Sequence, residues 1–397
     1  MKAGAGPVYL DHASTTPVAP QVAARMAEVL HSDTDFGNPS SSSHGYGDAA
    51  AALVESARTQ VATAVGAAAN EIIFTSGATE SNNLAIFGVA QYYRERGRHL
   101  VTARTEHKAV LDPFRELERR GWQVSYLIPD QEGLLDPAQV AAALRPETVL
   151  VSLMHVNNEI GVVQNIGAVG AICARHGAWL HVDAAQSVGK CPVDFASLGA
   201  HLMSLSAHKA YGPKGAGALV VSRRAGPRGR VQLAALQFGG AQERALRAGT
   251  LATHQAVGMG LAFELATTRT SEETARVARL QQRLWHGLAA LGGVQRNGSA
   301  LRSVPHLLNV SFEGVQGESL LAAVRPHVAV STGSACTSTD AEPSYVLRAL
   351  GRSERLSESS LRFGLGRTTT EQDIDTTLTV LRREVGRLRK IAGGTGP

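Results

Sequence analysis

The sequence predicts an α/β protein with a mostly parallel, doubly wound sheet, followed beyond about residue 265 by a smaller α+β region. Three observations lead there. Short apolar runs alternate with helical patterns between residues 71 and 221, the order that wraps helices over both faces of a parallel sheet. Polar residues cluster directly behind five of those runs, at 75–80, 106–107, 157–161, 183–186 and 206–209, where open α/β sheets bind their ligands. Past residue 265 the alternation stops, and a long Arg- and Glu-rich helix leads to widely spaced strands.

Taken in order, His12 to Pro17 form a polar turn, and an amphipathic helix carrying Val22, Met26, Val29 and Leu30 follows. Phe36-Gly37-Asn38-Pro39 and four serines read as a loop. An alanine-rich helix over 48–65 ends at Gly66, a glycine in the helix C-cap position. Strands are expected at 71–75, 99–103, 123–128, 148–154, 179–182, 200–205 and 216–221, with helices at 79–96, 109–120, 137–144 and 166–176. A helix at 271–291, strands near 307–312 and 328–330 and two further helices, the last at 371–391, complete the chain. Residues 19–265 are expected to form the large domain, and residues 1–18 with 266–397 the small one.

Composition narrows the function classes. Of 397 residues, 44% are hydrophobic and 18% charged, as in an ordinary globular protein, and no apolar run is long enough to cross a membrane. The first residues carry neither a signal core nor an arginine-rich transit segment, so a cytoplasmic location is expected. The net charge of +5 is not gathered with aromatics on one face; the C-terminal arginines instead match the dipole of the last helix, and direct nucleic-acid binding is not expected. Three cysteines, far apart, give neither a disulfide framework nor a metal spacing. Cys173 lies on an apolar helix face and reads as core, and Cys191 reads as structural.

The clusters have individual chemistries. Lys209 follows the run Leu202-Met203-Ser204-Leu205 and precedes the breakers Gly212, Pro213 and Gly215, a setting for a Schiff-base lysine. Gly77-Ala78-Thr79, at a strand-to-helix turn, offers backbone N–H groups to a phosphate. Asp183 can pair with a pyridinium nitrogen; with His181 it can also be read as half of a metal site, although no third ligand stands at a recognisable spacing. His107 suits ring stacking or a core role. Cys336, among Ser, Thr and Gly, reads as a nucleophile on a mobile loop. Arg362, on an apolar stretch, fits a substrate carboxylate or a buried ion pair.

Together the motifs resemble the class V aminotransferase-fold enzymes, and most closely the cysteine desulfurases of the iron–sulfur assembly (IscS/NifS-like) type. The likeness runs from Val8-Tyr9-Leu10-Asp11 to about Leu388. It includes Phe74-Thr75-Ser76-Gly77-Ala78-Thr79-Glu80-Ser81, Thr105-Glu106-His107-Lys108, His155-Val156-Asn157-Asn158-Glu159, Asp183-Ala184-Ala185-Gln186, Ser206-Ala207-His208-Lys209 and Ser334-Ala335-Cys336-Thr337. The resemblance implies a PLP-dependent aminotransferase-like fold (fold type I) and a homodimer. It implies that Lys209 carries pyridoxal 5′-phosphate (PLP) covalently. Ala78, Thr79, Ser206 and His208 hold the phosphate, joined by Thr250 from the other subunit. Asp183 pairs with the ring nitrogen, Gln186 with the ring oxygen, and His107 stacks on the ring. Asn158 and Arg362 orient the carboxylate of L-cysteine, and Cys336 receives the sulfur as a persulfide, leaving L-alanine.

The implied sulfur acceptor is an iron–sulfur scaffold or a tRNA-thiolation protein. No resident metal is expected, apart from an iron–sulfur cluster transiently shared between Cys336 and a scaffold. Three features depart from the family pattern. Gly364 stands where Ser is frequent, residues 225–235 look longer and richer in arginine, and the extended tail that grips a scaffold is not seen after Ile391. The competing readings are a selenocysteine lyase or another PLP enzyme of the same fold, and a sulfur-transfer subunit acting as a binding platform. Cys336 argues against a transaminase, and the set Lys209, Asp183 and His107 against a catalytically dead protein.

Overall fold

The computed structural model describes residues 6–226, 229–332 and 343–393. A short strand β1 (Val8–Tyr9) leads to helices α1 (Pro20–His31) and α2 (Gly45–Ala64). α1 opens on proline, whose missing N–H is no loss in a first turn. In α2, His44 accepts from the Gly47 amide as the cap. Then come β2 (Ile72–Thr75), α3 (Ala78–Tyr93), β3 (His99–Ala103), α4 (Lys108–Arg119), β4 (Gln123–Leu127), α5 (Pro137–Ala143) and β5 (Thr148–Met154). α6 (Ile166–His176), β6 (Trp179–Asp183), β7 (Leu202–Ser206) and β8 (Gly217–Val221) follow.

These strands form one seven-stranded sheet in the order β2-β8-β7-β6-β5-β3-β4. β4, β3, β5, β6 and β7 run parallel, whereas β8 is antiparallel to both β7 and β2. One face packs on α3 and α4 through Ile86, Val110 and Phe114. The other packs on α2, α6 and a long helix α7 (Thr253–Thr268) through Val61, Cys173 and Phe263. Because both faces are covered, β5 and β7 are buried throughout, so they read as nearly continuous apolar runs rather than alternating ones. The doubly wound sheet is the expected one. Its strand ends shift slightly: β6 extends to Asp183 and β7 to Ser206, because the ladder pairs Asp183 with Met154 and Ser204, and Ser206 with Gly217.

Beyond α7 the chain runs through α8 (Thr270–Ala289), β9 (Val294–Asn297), β10 (Leu307–Phe312), α9 (Gly317–Val324), β11 (Val328–Ala329), α10 (Tyr345–Ala349), α11 (Glu354–Glu358), β12 (Ser360–Gly364) and α12 (Glu371–Gly393). An antiparallel sheet, β12-β10-β9, packs on α8 and α12 around Leu284, Val310, Phe363 and Leu381. β1 pairs in parallel with β11, so the N-terminal segment joins this second core, with Leu10 inside it. β9 escapes the sequence pattern because Gln295, Arg296 and Asn297 make it too polar to read as a strand.

One loop before α7 is held by an unusual anchor. Glu243, Arg244 and Ala245 are all left-handed, at φ 47°, 59° and 58°, a conformation costing roughly 1–2 kcal/mol per non-glycine residue. A forked pair offsets it: Arg58 donates to both Glu243 carboxylate oxygens, at 2.7 and 2.9 Å. The Phe74 amide also donates to Glu243, at 2.6 Å.

Candidate active site

The carboxyl ends of the parallel strands and the first turn of α3 surround a cavity of about 460 Å³. Ala78, Thr79, His107, Asn158, Asp183, Gln186, Ser206, His208 and Lys209 all line it, so the topology brings together nine expected site residues spread over more than a hundred positions.

Lys209 ends a short 3₁₀ turn, Ala207–Lys209, directly behind β7. The N-terminal segment holds this turn in place. Thr16 donates from both its amide and its hydroxyl to the His208 carbonyl, at 2.9 and 3.0 Å, and accepts from the Tyr211 amide at 2.8 Å. That clamp fixes Tyr211 at φ 63°, left-handed for a bulky residue. Lys209 Nζ donates to the Ala13 carbonyl at 2.6 Å. Gln186 Nε2 donates to the same carbonyl at 2.7 Å, and Gln186 Oε1 accepts from Lys190. One N–H of the Gln186 amide is left for another acceptor.

At the opposite wall, Gly77 precedes α3 at φ 152°, and the amides of the first turn have no partner within the helix. A side chain on Gly217 would place its Cβ 2.5 Å from Gly77 Cα and 2.7 Å from the Leu205 carbonyl; glycine there lets β8 press against the turn and keep the cup open. Lys214 and His208 line the same wall. Burial, with the charges of Lys209 and Lys214, holds the His208 imidazole down to about 4, so it is neutral at pH 7, and its Nδ1 lies 3.1 Å from Thr15 Oγ1. Glu80 also lines the cavity. Burial pushes its carboxyl up, but hydrogen bonds from Ser76 and Arg247 outweigh this and hold it below the usual range.

Asp183 is fixed by Asn82 Nδ2 at 2.8 Å and the Ala185 amide at 3.0 Å. His107 caps α4, its Nδ1 accepting from the Ala109 amide at 3.1 Å; burial lowers its pKa, against the pull of Asp183. Behind it Glu106 is fully buried, and burial first, then Asp183, pushes its carboxyl well above the usual range. Its Oε1 accepts from the Met154 amide at 2.9 Å, which works against that rise. The metal reading of His181 meets a physical obstacle. Ser152 Oγ and Ser204 Oγ sit 2.7 and 2.9 Å from its two nitrogens, which are thereby both occupied.

Of the other three expected residues, two lie off the lining of this cavity and one falls outside the described residues. Arg362 does not line the cavity. It lies beside it on β12, donating to Asp11 Oδ1 at 2.9 Å, Ser14 Oγ at 2.6 Å and the Asn158 carbonyl at 3.0 Å. The buried ion pair is therefore present. Arg362 Nε and Asn158 Oδ1 are nevertheless buried without a partner among the described residues, which leaves one donor and one acceptor unsatisfied. Thr250 is exposed and lines no part of its own chain's cavity. Cys336 lies outside the described residues. Asn82, Asp11, Ser14 and the Ala13 carbonyl were missed by sequence reasoning; a backbone carbonyl has no sequence signal at all.

PLP fits this arrangement. Its phosphate matches the glycine-cleared helix N-terminus, its ring nitrogen the twice-anchored Asp183, and its aldehyde the amine of Lys209.

Comparison with known proteins agrees. The aminotransferase class-V family matches residues 8–377. The cysteine desulfurase IscS of Pectobacterium atrosepticum is 52% identical over 386 residues, covering 97% of this chain and 94% of that protein. The solved structure of a NifS-like protein superposes with a TM-score of 0.87 at 33% identity, over 96% of this chain and all of that one. That of SspA in complex with cysteine gives 0.79 at 37% identity, over 91% and 99%. On the full-length match and the shared fold, the chain belongs to the class-V aminotransferase family and, within it, to the IscS/NifS-like cysteine desulfurases.

Proposed function

We propose that this chain is a PLP-dependent cysteine desulfurase that converts L-cysteine to L-alanine and hands the sulfur, as a persulfide on Cys336, to an acceptor protein serving iron–sulfur cluster assembly or tRNA thiolation. The observation that carries the reading is the convergence of Lys209, Asp183, His107 and the first turn of α3 on one cavity. When bound, PLP supplies an electron sink for negative charge at the substrate α-carbon. Asp183, held by Asn82 and Ala185, pairs with the ring nitrogen. Ala78, Thr79, Ser206 and His208 hold the phosphate, and Gln186 gives its remaining N–H to the ring oxygen. His107, pinned as a helix cap, covers one ring face.

Lys209 Nζ takes the α-proton of the substrate and returns it. Asn158 and Arg362 receive the substrate carboxylate, with Arg362 already held in place by Asp11 and Ser14. The Cys336 thiolate bonds to the substrate sulfur; the substrate carbon–sulfur bond breaks, its electron pair stays with carbon, and protonation there gives the alanine methyl group. A second thiolate, on the acceptor, then takes the outer sulfur from Cys336. The chain acts as a homodimer in which Thr250, on the loop that Arg58 and Glu243 anchor, reaches the partner's phosphate site. Residues 19–265 form the PLP-binding domain, and residues 1–18 with 266–397 the domain carrying Cys336. No helix among the described residues is long and apolar enough to cross a membrane, and we place the enzyme in the cytoplasm.

The test is a product assay with L-cysteine and a thiol reductant, reading alanine and sulfide, with L-selenocysteine alongside. Cys336→Ser keeps the cofactor's absorption and loses sulfide release. A Cys336→Ser protein releasing sulfide at the unmutated rate overturns the assignment.

A further inference from the structure

Lys209 also lines a second, far smaller cavity of about 10 Å³, close to the space one water needs. Its walls include Lys190, His12 and His306, all buried. Both nitrogens of His12 and both of His306 are without a hydrogen-bond partner among the described residues. Lys190 has no ion-pair partner there either, and its amine donates to Gln186 Oε1. A buried amine without a counter-ion is costly to keep charged, and nothing in the proposed reaction uses it.

The geometry links this amine to the catalytic one. Lys190 Nζ holds the Gln186 oxygen, Gln186 Nε2 donates to the Ala13 carbonyl, and Lys209 Nζ donates to that same carbonyl. The amide of Gln186 has one orientation that satisfies both contacts, with nitrogen toward Ala13 and oxygen toward Lys190. Resting on the reading of Lys209 and Gln186 as PLP contacts, we propose that Lys190 is a positioning residue: it locks the Gln186 amide from behind, and its proton is held in opposition to that of Lys209.

The surroundings keep Lys190 close to balance. On its own turn stands Cys191, whose thiol burial pushes up to about 11. Lys209 and His208 face it from behind β7, His12 from the N-terminal segment beside Asp11, and Arg362 from β12. From α8 comes Glu273, already paired with Arg367 at 2.8 Å. His306, near Arg276, is held down to about 3 and His12 to about 4, in each case by burial first and then by Lys190. Tyr211, a further wall residue, is pushed up to about 12, mainly by burial. Burial, then the charge of Lys209, brings Lys190 down to about 7, so it gains or loses its proton near neutral pH.

The test follows the visible absorption of the PLP-loaded enzyme through a pH titration. Lys190→Arg, charged at every pH, titrates about one pH unit below the neutral Lys190→Met, because a fixed neighbouring cation disfavours a second positive charge; the unmutated enzyme falls between them. Borohydride reduction and peptide mapping of each protein first locate the cofactor. No adduct on Lys209 of the unmutated enzyme overturns the cofactor reading and the proposal together, whereas an adduct with coincident titrations overturns the proposal alone. Without any substitution, NMR of isotope-labelled lysines reads Lys190 directly. Its titration lies near neutral pH in the apoprotein and moves on cofactor loading, and an unmoved Lys190 refutes the link.

Discussion

Replacing Arg58 by methionine tests whether the forked pair with Glu243 holds the loop that leads to Thr250. Methionine keeps the aliphatic stem over Phe74, whose ring centroid lies 4.8 Å from the guanidinium carbon. It loses the two contacts to Glu243, a third, at 3.0 Å, to the Ile72 carbonyl and a fourth, at 3.0 Å, to the exposed Glu55. The stranded carboxylate has a side chain only 2% exposed, so water cannot replace the guanidinium. Breaking a buried pair from one side costs about 3–5 kcal/mol, and the three left-handed residues then lose their anchor. The double variant Arg58→Met with Glu243→Gln strands no charge and keeps an oxygen for the Phe74 amide; it should cost about half as much. Urea unfolding followed by circular dichroism, with slopes compared, measures both. A loss below about 1 kcal/mol for the single variant, or a double variant as unstable as the single, refutes the reasoning.

Two further predictions concern the buried histidines and the phosphate cup. His306 has a folded pKa of about 3, below its unfolded value, so the folded state binds fewer protons and stability falls as pH drops from 7 to 5. For a fully buried imidazole this amounts to about 2 kcal/mol. His306→Leu should therefore lose that much less over the same interval in unfolding measurements, and identical pH slopes count against it. Gly217→Ala drives a methyl group into the backbone of Gly77 and Leu205, an overpacking of about 1–3 kcal/mol. PLP binding to the apoprotein, followed by absorbance, should weaken about tenfold; unchanged affinity places the phosphate elsewhere.

Much of the fold could be read from the sequence because strands buried on both faces announce themselves as apolar runs. The polar clusters behind them were equally legible, and the residues from Ala78 to Lys209 that they marked line one cavity. What escaped depends on distant segments meeting. Asp11 and Arg362 are 351 positions apart, so only the folded chain reveals that the arginine already has a carboxylate. Ala13 contributes a backbone oxygen, invisible in any side-chain pattern. Asn82 sits mid-helix and looks like solvent-facing polarity until the helix is laid across β6. The burial of Lys190 was equally hidden, because sequence gives no measure of burial for a long side chain.

The N-terminal segment has a consequence for how the enzyme is made. β1 pairs with β11, Asp11 with Arg362, and Thr16 with the turn behind Lys209. Residues 8–16 thus wait for partners up to 351 positions further along the chain before they find their places. Such long-range closure is slow and late, so the parallel sheet with its Lys209 strand can assemble while the lysine's surroundings are still open. Cofactor capture then belongs to the finished chain. A truncation that spares every residue of the seven-stranded sheet but stops before β12 should accumulate as a folded sheet unable to retain PLP.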